Sequence, residues 1–500
     1  MATRKKATVK SAKKKKAPAR KKTVKKKKKT TASRTRETPV PATVRPAAPS
    51  RDDDKVRIRM YRLGVGDCFL VRLPKTDGGV FTMLIDCGVH TSQSGGSIQI
   101  RKVAADLQAQ TGGHFDVVVG THEHYDHLSG FLLASEAFEQ MRSDEIWCAW
   151  TENGDDPTSR QLRAKKRKAM AVVAKAQARA MMGAASDSVN KLTSMLGFFG
   201  DGSGARLTAA AKVLKGMSNT IRYREPGEPP IELPGMQARI FVLGPPRDLK
   251  LIHKPDSKSE TYPFGAYAAA AEALDFAFDA TLPFEPLYGM PLSASKAETF
   301  FQEYYWNPTA AGKAREREDL SQNWRRIDND WLDSASSMAL ALDDDTNNTS
   351  LVMALELGPP DKDGPVILFA ADAQVGNWLS WQDVKWPDYH GRKISGPDLL
   401  RRTMIYKVGH HASQNATLKA LGLDLMQALE LALVTTDAAM ATKVGWGTLP
   451  WPGLLKALAT KTGNKVIRTD KPAPTALGRF SLTQDPLFYE IAFSPNAGAS

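Results

Sequence analysis

The segment THEHYDHLSG, residues 121–130, places three histidines and two acids in six consecutive positions. The chain has 9 histidines in 500 residues, so a third of them fall in this hexapeptide. The preceding segment FDVVVGT is short and apolar, which is typical of a strand buried in a sheet. The following segment LSGFLLASEAFEQM predicts a helix. The histidines therefore lie between a buried strand and a helix.

The spacing of these polar residues indicates a metal site. His122 and His124 leave the strand two residues apart, so both side chains can project to one side. Asp126 and His127 follow on the turn into the helix and can face the same point from another direction. Imidazole and carboxylate groups are ligands of borderline divalent ions such as zinc, manganese or iron. Four potential ligands in six residues predict a metal site rather than a solvated polar loop.

At these residues the sequence resembles the metallo-β-lactamase fold, whose signature H-x-H-x-D-H follows a buried strand. LIDCG is similar to an earlier strand motif of that family, which implies that Asp86 orients the metal ligands. ILFAADA is similar to the later strand that ends in an acid, which implies that Asp372 bridges two ions. YKVGHHASQNAT is similar to the last ligand motif, which supplies His410 or His411. We favour His411, because it stands two residues before Ser413 as in the H-x-S motif of related nucleases, and His410 remains an alternative.

The similarity is closest to the metallo-β-lactamase domain of ComEC-type competence proteins. It rests on RLGVGDCFLV, on NNTSLVMALEL and on the doubled histidine of KVGHHAS. The similar segments cover residues 56–150 and 346–470. The resemblance implies an α/β fold, the metallo-β-lactamase αβ/βα sandwich, and a metal-dependent hydrolase.

One feature departs from the family pattern, in which a further histidine usually stands between the cluster and the bridging acid. Between Leu128 and Asp372 the chain has His253 alone, which we interpret as a loop residue. The resemblance then implies a complete second metal site and a first site with only two histidines and the shared acid. The second site would contain Asp126, His127, Asp372 and His411, and the first would contain His122, His124 and Asp372. We expect one or two divalent ions, zinc or manganese, with Asp126 and Asp372 as the catalytic carboxylates.

Such a centre predicts hydrolysis but does not select the substrate. Two ions about 3.5–4 Å apart share a bridging hydroxide and stabilise charge on the attacking and leaving oxygens. We expect a phosphodiesterase or nuclease, because the similarity to competence proteins and the basic N-terminal segment both favour nucleic acid. Two alternatives are a small-molecule ester or lactone hydrolase and a nucleic-acid-binding protein with a structural metal site.

The strong positive charge lies in the N-terminal segment alone. Residues 1–37 contain 18 Lys and Arg and a single acid, whereas the remainder has 51 Lys and Arg against 53 Asp and Glu. The segment has almost no apolar residues, so we expect a disordered tail. Its two lysine runs are the expected contacts to nucleic acid: Lys13, Lys14, Lys15, Lys16, Lys25, Lys26, Lys27, Lys28 and Lys29.

Other features predict a soluble, cytoplasmic protein without a membrane partner. The tail lacks the apolar region of a secretory signal, and no run of about 18 apolar residues occurs. The three cysteines, Cys68, Cys87 and Cys148, are scattered through apolar segments, as expected for buried free thiols in a reducing compartment.

The chain is expected to divide into a tail with a Pro-rich linker at residues 1–54 and one domain at residues 55–490. Within that domain, residues 155–333 change in character and predict a helical insertion. They include a Lys/Arg-rich helix at residues 161–182 and an Ala-rich stretch at residues 267–280.

Overall fold

The computed structural model describes residues 54–182, 193–200, 204–254, 256–257, 259–261, 294, 297–300 and 338–494. The basic tail up to residue 53, with the nine lysines of its two runs, and the Ala-rich stretch 267–280 lie outside the described residues. None of the helices in the described part combines the length and apolarity needed to cross a bilayer. The proposed domain bounds stay a prediction.

The strands of the described residues form two large sheets and one small hairpin. They are β1 Val56–Tyr61, β2 Phe69–Pro74, β3 Val80–Ile85, β4 His114–Gly120, β5 Arg142–Ala149, β6 Ile221–Arg224, β7 Ile231–Glu232, β8 Ala238–Gly244, β9 Val352–Leu357, β10 Val366–Phe369, β11 Lys385–Tyr389, β12 Arg392–Ser395, β13 Thr403–Lys407, β14 Leu431–Val434, β15 Val466–Arg468, β16 Ser481–Gln484 and β17 Phe488–Phe493. The first sheet has the order β16-β17-β1-β2-β3-β4-β5-β6, and the second has the order β15-β14-β13-β10-β9-β8-β7. Strands β11 and β12 form the hairpin.

The helices within the described residues lie between these strands in the chain. They are α1 Gly96–Thr111, α2 Tyr125–Leu133, α3 Ser135–Phe138, α4 Pro157–Met182, α5 at residues 193–196, α6 Ala205–Gly216, α7 Leu249–Ile252, α8 at residues 338–347, α9 Val375–Ser380, α10 Gly396–Arg401, α11 Ala438–Lys443 and α12 Pro452–Thr462.

The two sheets pack face to face and carry helices on their outer faces. One buried apolar cluster joins both sheets, with Val119 of β4 and Met353 of β9 among its members. A second cluster packs α1, α2 and α6 against the outer face of the first sheet, and a third packs α9, α10 and α12 against the second sheet. This layering confirms the predicted αβ/βα sandwich. The hydrophobic faces of both sheets are thus removed from water on both sides.

Strand β4 shows why the segment before the histidines is apolar. Val117 and Val119 face the second sheet, whereas Phe115 and Val118 face the outer helices. Both faces of the strand are buried, so alternation with polar residues is lost. Strands β3, β4 and β5 are parallel to one another, as are β10, β13 and β14. Their carboxyl ends carry the polar residues that stand out in the sequence.

The region predicted as a helical insertion contains parts of both sheets. Helix α4 is present, although it begins at Pro157 rather than at residue 161. Further along, β6 pairs with β5 of the first sheet, and β8 pairs with β9 of the second. Residues 221–244 therefore carry the chain from one sheet to the other.

Candidate metal centre

Four loops at the carboxyl ends of parallel strands supply the polar residues of the centre. The loop after β3 carries Asp86, and the loop after β4 carries the histidine cluster at residues 122–127. The loop after β10 carries Asp372, and the loop after β13 carries His410 and His411. Because these strand ends meet where the two sheets face each other, residues far apart in sequence come together.

Two carboxylates and two imidazoles converge in one buried cluster, which we call the four-residue cluster: Asp126, His127, Asp372 and His411. His127 Nε2 lies 3.1 Å from Asp372 Oδ2 and 3.9 Å from Asp126 Oδ2. His411 Nε2 lies 3.0 Å from Asp126 Oδ2 and 3.4 Å from Asp372 Oδ2. Ligands of a tetrahedral zinc ion at its usual bond lengths stand about 3.3 Å apart. The spacing of the cluster therefore fits a divalent ion.

Each histidine of this cluster is held with one ring nitrogen directed at the others. His127 Nδ1 lies 2.7 Å from Asp86 Oδ2, and His411 Nδ1 lies 2.9 Å from the carbonyl oxygen of Thr435. A carbonyl and a carboxylate only accept, so each Nδ1 donates and Nε2 is left facing the cluster. His127 Nε2 and Asp126 Oδ1 are buried without a hydrogen-bond partner, as expected of atoms that serve as ligands.

The electrostatics of the cluster favour a bound cation. Burial lowers the pKa of His127, but the carboxylates of Asp372 and Asp86 outweigh it and raise that pKa well above the usual value. Burial raises the pKa of Asp372, but His127, His411 and Lys407 outweigh it and hold that pKa well below the usual value. The carboxylates thus stay charged and attract positive charge, which protons on the imidazoles provide. A divalent ion would displace those protons, so its affinity should rise with pH.

His122 and His124 form a separate pair that belongs to neither metal-compatible group of the described residues. His122 Nε2 lies 3.1 Å from His124 Nδ1, and both side chains are buried. Burial and the neighbouring imidazoles hold the pKa of His122 well below the usual value, so its ring is neutral. The pair offers two nitrogen ligands, which alone do not complete a metal site.

Asp86 connects this pair with the four-residue cluster. Its carboxylate accepts from the backbone nitrogen of Thr121 at 2.8 Å and from the Thr121 hydroxyl at 2.7 Å. That hydroxyl in turn lies 3.1 Å from His122 Nδ1. The carboxylate therefore orients His127 directly and His122 through Thr121. The orienting role toward bound metal that the resemblance implied for Asp86 stays a prediction.

A buried ion pair beside the cluster was not predicted from the sequence. Lys407 Nζ contacts Asp67 Oδ2 and lies 3.4 Å from Asp372 Oδ1. Asp67 also accepts from the Thr435 hydroxyl at 2.5 Å. Asp67, Asp86 and His127 form the second metal-compatible group, but the Lys407 ammonium already supplies a cation there. We therefore interpret that group as an ion-pair network. The sequence held no signal for this ion pair beyond a lysine at the end of the strand TMIYK.

The backbone of these loops adopts conformations that residues other than glycine rarely adopt. Positive φ angles occur at Asp86 (56°), Ala371 (48°), His410 (38°), His411 (50°) and Ala412 (62°). Each such backbone conformation costs a free energy of order 1–3 kcal/mol, and it is retained only where the surrounding structure holds it in place. Their concentration at the strand ends indicates that the packing of the sandwich imposes these loop conformations.

Two histidines with open roles lie outside the four-residue cluster. His410 Nδ1 lies 2.8 Å from the Ser413 hydroxyl and 3.1 Å from Gln374 Nε2, and its Nε2 lies 3.3 Å from Asn347 Nδ2. The structure thus brings His411, rather than His410, to the cluster. His253 ends the short helix α7 and is half-exposed, with Nδ1 2.8 Å from Asp345 Oδ2. Its position matches the loop residue expected from the sequence.

A cleft of about 280 Å³ opens beside His411. One wall is aromatic and includes Phe198 and Trp446, whose rings stack at 4.9 Å. The lining also includes acidic and polar side chains, namely Asp256, Asp343, Asp344, His410, Ser413 and Asn415. Burial raises the pKa of Asp344 to about 7. Of the four-residue cluster, His411 lines this cleft.

Comparison with known proteins identifies a metallo-β-lactamase superfamily domain at residues 61–175, where the model of that family matches. The matched segment contains Asp86 and the whole histidine cluster, whereas Asp372 and His411 lie beyond it. No curated protein and no solved structure matches the chain. The resemblance drawn from H-x-H-x-D-H is thus confirmed for that superfamily, and the similarity to ComEC-type proteins stays a prediction.

Proposed function

We propose that this protein is a metal-dependent hydrolase that cleaves phosphodiester bonds of nucleic acid. The observation that carries the proposal is the convergence of two carboxylates and two imidazoles in the four-residue cluster. When bound there, a zinc or manganese ion lowers the pKa of water and stabilises charge on the reacting oxygens.

The remaining contributions come from the side chains of the chain itself. Asp126 and Asp372 stay ionised in a buried site and fix the position of positive charge. Asp86 and Thr435 hold the imidazoles of His127 and His411 in one orientation, so no reorientation is needed during the reaction. We infer that a substrate binds in the cleft beside His411, with its scissile bond next to these groups.

Three features support nucleic acid as the substrate. The motifs around the centre resemble those of competence proteins, and the tail carries runs of lysines. In addition, helix α4 begins beside the histidine cluster, where Arg163 Nη2 lies 3.3 Å and Lys166 Nζ lies 3.6 Å from the Glu123 carboxylate. The same helix exposes several basic side chains to solvent: Arg160, Lys165, Arg167, Lys168 and Lys175. A phosphate backbone could lie along this surface.

A second candidate is a small-molecule ester or lactone hydrolase. The observation that favours it is the cleft, whose lining includes the aromatic rings of Phe198 and Trp446. The stacked rings of Phe198 and Trp446 suit an apolar, neutral substrate better than a polyanion.

A turnover assay separates these candidates from a protein whose metal is purely structural. The full-length protein is assayed with manganese or zinc on bis-p-nitrophenyl phosphate, single-stranded DNA and simple esters, with metal content measured in parallel. Phosphodiester cleavage that a chelator abolishes is the expected result. Cleavage of esters alone would favour the second candidate, and bound metal without turnover would favour the structural role.

The contribution of the tail is tested by deleting residues 1–36. If about 6–10 phosphates are engaged, DNA affinity should fall by roughly 10³–10⁵ between 50 and 200 mM salt. The deletion should flatten this dependence and raise KM on long DNA, while kcat on a small phosphodiester hardly changes. Identical salt dependence in both proteins would leave the tail without a role in binding nucleic acid.

A further inference from the structure

The pair formed by His122 and His124 lies next to a carboxylate of helix α8, an element that the sequence did not connect with the metal centre. Asp343 Oδ1 lies 3.6 Å from His124 Nε2. Neither atom has another hydrogen-bond partner, and both are buried. Asp343 is 8% exposed and His124 is 1% exposed. Buried polar atoms without a hydrogen-bond partner are rare in folded proteins, so two such atoms beside each other suggest a shared role.

The protons of the pair follow from its hydrogen bonds. The Thr121 hydroxyl donates to Asp86, so it accepts from His122 Nδ1, and the lone pair of His122 is on Nε2. That lone pair faces His124 Nδ1 at 3.1 Å. If neutral His124 carries its proton on Nε2 rather than on Nδ1, that proton faces Asp343. Both inward nitrogens, His122 Nε2 and His124 Nδ1, then offer lone pairs to one ion.

We propose that Asp343 is a positioning residue for the first metal site, where it accepts from His124 Nε2–H and holds the Nδ1 lone pair toward an ion shared with His122. The proposal rests on the metal-dependent hydrolase proposed above. It assigns to α8 a part in a site for which the chain lacks the usual third histidine. A carboxylate on the outer nitrogen makes the imidazole a stronger ligand and fixes its orientation.

The carboxylate is itself held in place by its own helix. Asn347 stands one turn further along α8, and its Nδ2 lies 3.1 Å from Asp343 Oδ2 and 3.3 Å from His410 Nε2. The chain of contacts therefore runs from His124 through Asp343 and Asn347 to His410. His410 thus acts as an anchor for the first site rather than as a ligand.

The test measures ion affinity, not activity. Full-length protein is stripped with a chelator and titrated with zinc against a chromophoric competitor, as wild type, Asp343→Ala, Asp343→Asn and Asp345→Asn. Asp345 is the matched control, because it lies on the same helix but contacts His253 instead. In Asp343→Ala the ion at the first site should lose about 10- to 100-fold in affinity, and the ion at the four-residue cluster should be unaffected. Asp343→Asn should lose less, because its amide oxygen still accepts from His124.

Three outcomes would overturn the proposal. They are unchanged affinities in Asp343→Ala, equal weakening of the first site in Asp345→Asn, and a wild type that binds a single ion. Thermal unfolding of the stripped proteins shows whether a variant folds, and Asp343→Asn carries the test if the alanine variant does not. Failure of the hydrolase proposal is separate, since it would appear as absent turnover with the ion affinities intact.

Discussion

The four-residue cluster and the His122–His124 pair are built on the same loop but differ in completeness. In the cluster, ligands from one loop of the first sheet meet ligands from two loops of the second sheet. The pair has its two nitrogens from the first sheet alone, with Asp343 behind one of them. A loop rich in histidine therefore does not make a metal site by itself. Completion depends on what the opposite sheet brings to it.

Replacing the shared acid should have the largest effect on this comparison. In Asp372→Ala the cluster loses a ligand whose second oxygen neighbours Lys407, and the acid that the resemblance implies is shared by both ions is gone. Activity should disappear and at least one metal equivalent per chain should be lost, as measured by turnover and elemental analysis. Full activity in this variant would refute a centre with two ions.

Two adjacent histidines offer a sharper test. His411→Gln removes a ligand of the four-residue cluster, so the tighter ion should lose more than the 10- to 100-fold that removal of an orienting partner typically costs. His410→Gln is the matched variant, and the tighter ion should stay, because His410 contacts Asn347, Gln374 and Ser413 instead. Competition titration of both variants gives the two affinities. Equal losses would mean that both histidines serve the cluster.

The unequal sites should also be visible in the wild-type protein. Titration of the stripped protein should show one tight and one weaker ion, since two imidazoles bind less strongly than two imidazoles with two carboxylates. His122→Ala should remove the weaker ion alone. Two equally tight equivalents would instead require a further ligand at the first site.

A smaller effect is expected from the packing that supports the four-residue cluster. A Cβ at Gly88 would lie 2.3 Å from the carbonyl oxygen of Asp126 and 2.4 Å from the amide nitrogen of His127. Gly88→Ala should therefore push this backbone away and lower the free energy of unfolding by about 1–3 kcal/mol. At Gly216 a Cβ has open space around it, so Gly216→Ala is the control. Chemical denaturation in chelator compares the two, and equal stabilities would contradict the close packing.

The features that could be predicted from the sequence are those that depend on a short, continuous segment of the chain. The apolar strands, the cluster at residues 122–127 and the orienting place of Asp86 each depend on local pattern or on a motif. His411 was preferred over His410 through its spacing from Ser413, and the structure brings His411 to the cluster.

The missed residues have no such local signal. Asp67, Lys407 and Asp343 are ordinary charged residues in the sequence, and their importance arises because folding buries them beside one another. A buried charge is recognisable only when its partner is known, and these partners are hundreds of residues apart. The strands at residues 221–244 were missed for a related reason, because they lie between segments of helical composition.

The order of strands in the first sheet has a consequence for how a newly made chain gains its metal. Strand β1 lies between β2 and β17, and β17 spans Phe488–Phe493. The ligands span Asp126 to His411, and the carbonyl that orients His411 belongs to Thr435. The first sheet is complete only after residue 493 has left the ribosome, and the second only after residue 468. A nascent chain that exposes the histidine loop early therefore holds only a fragment of the centre, because Asp372, His411 and Thr435 follow later in the chain.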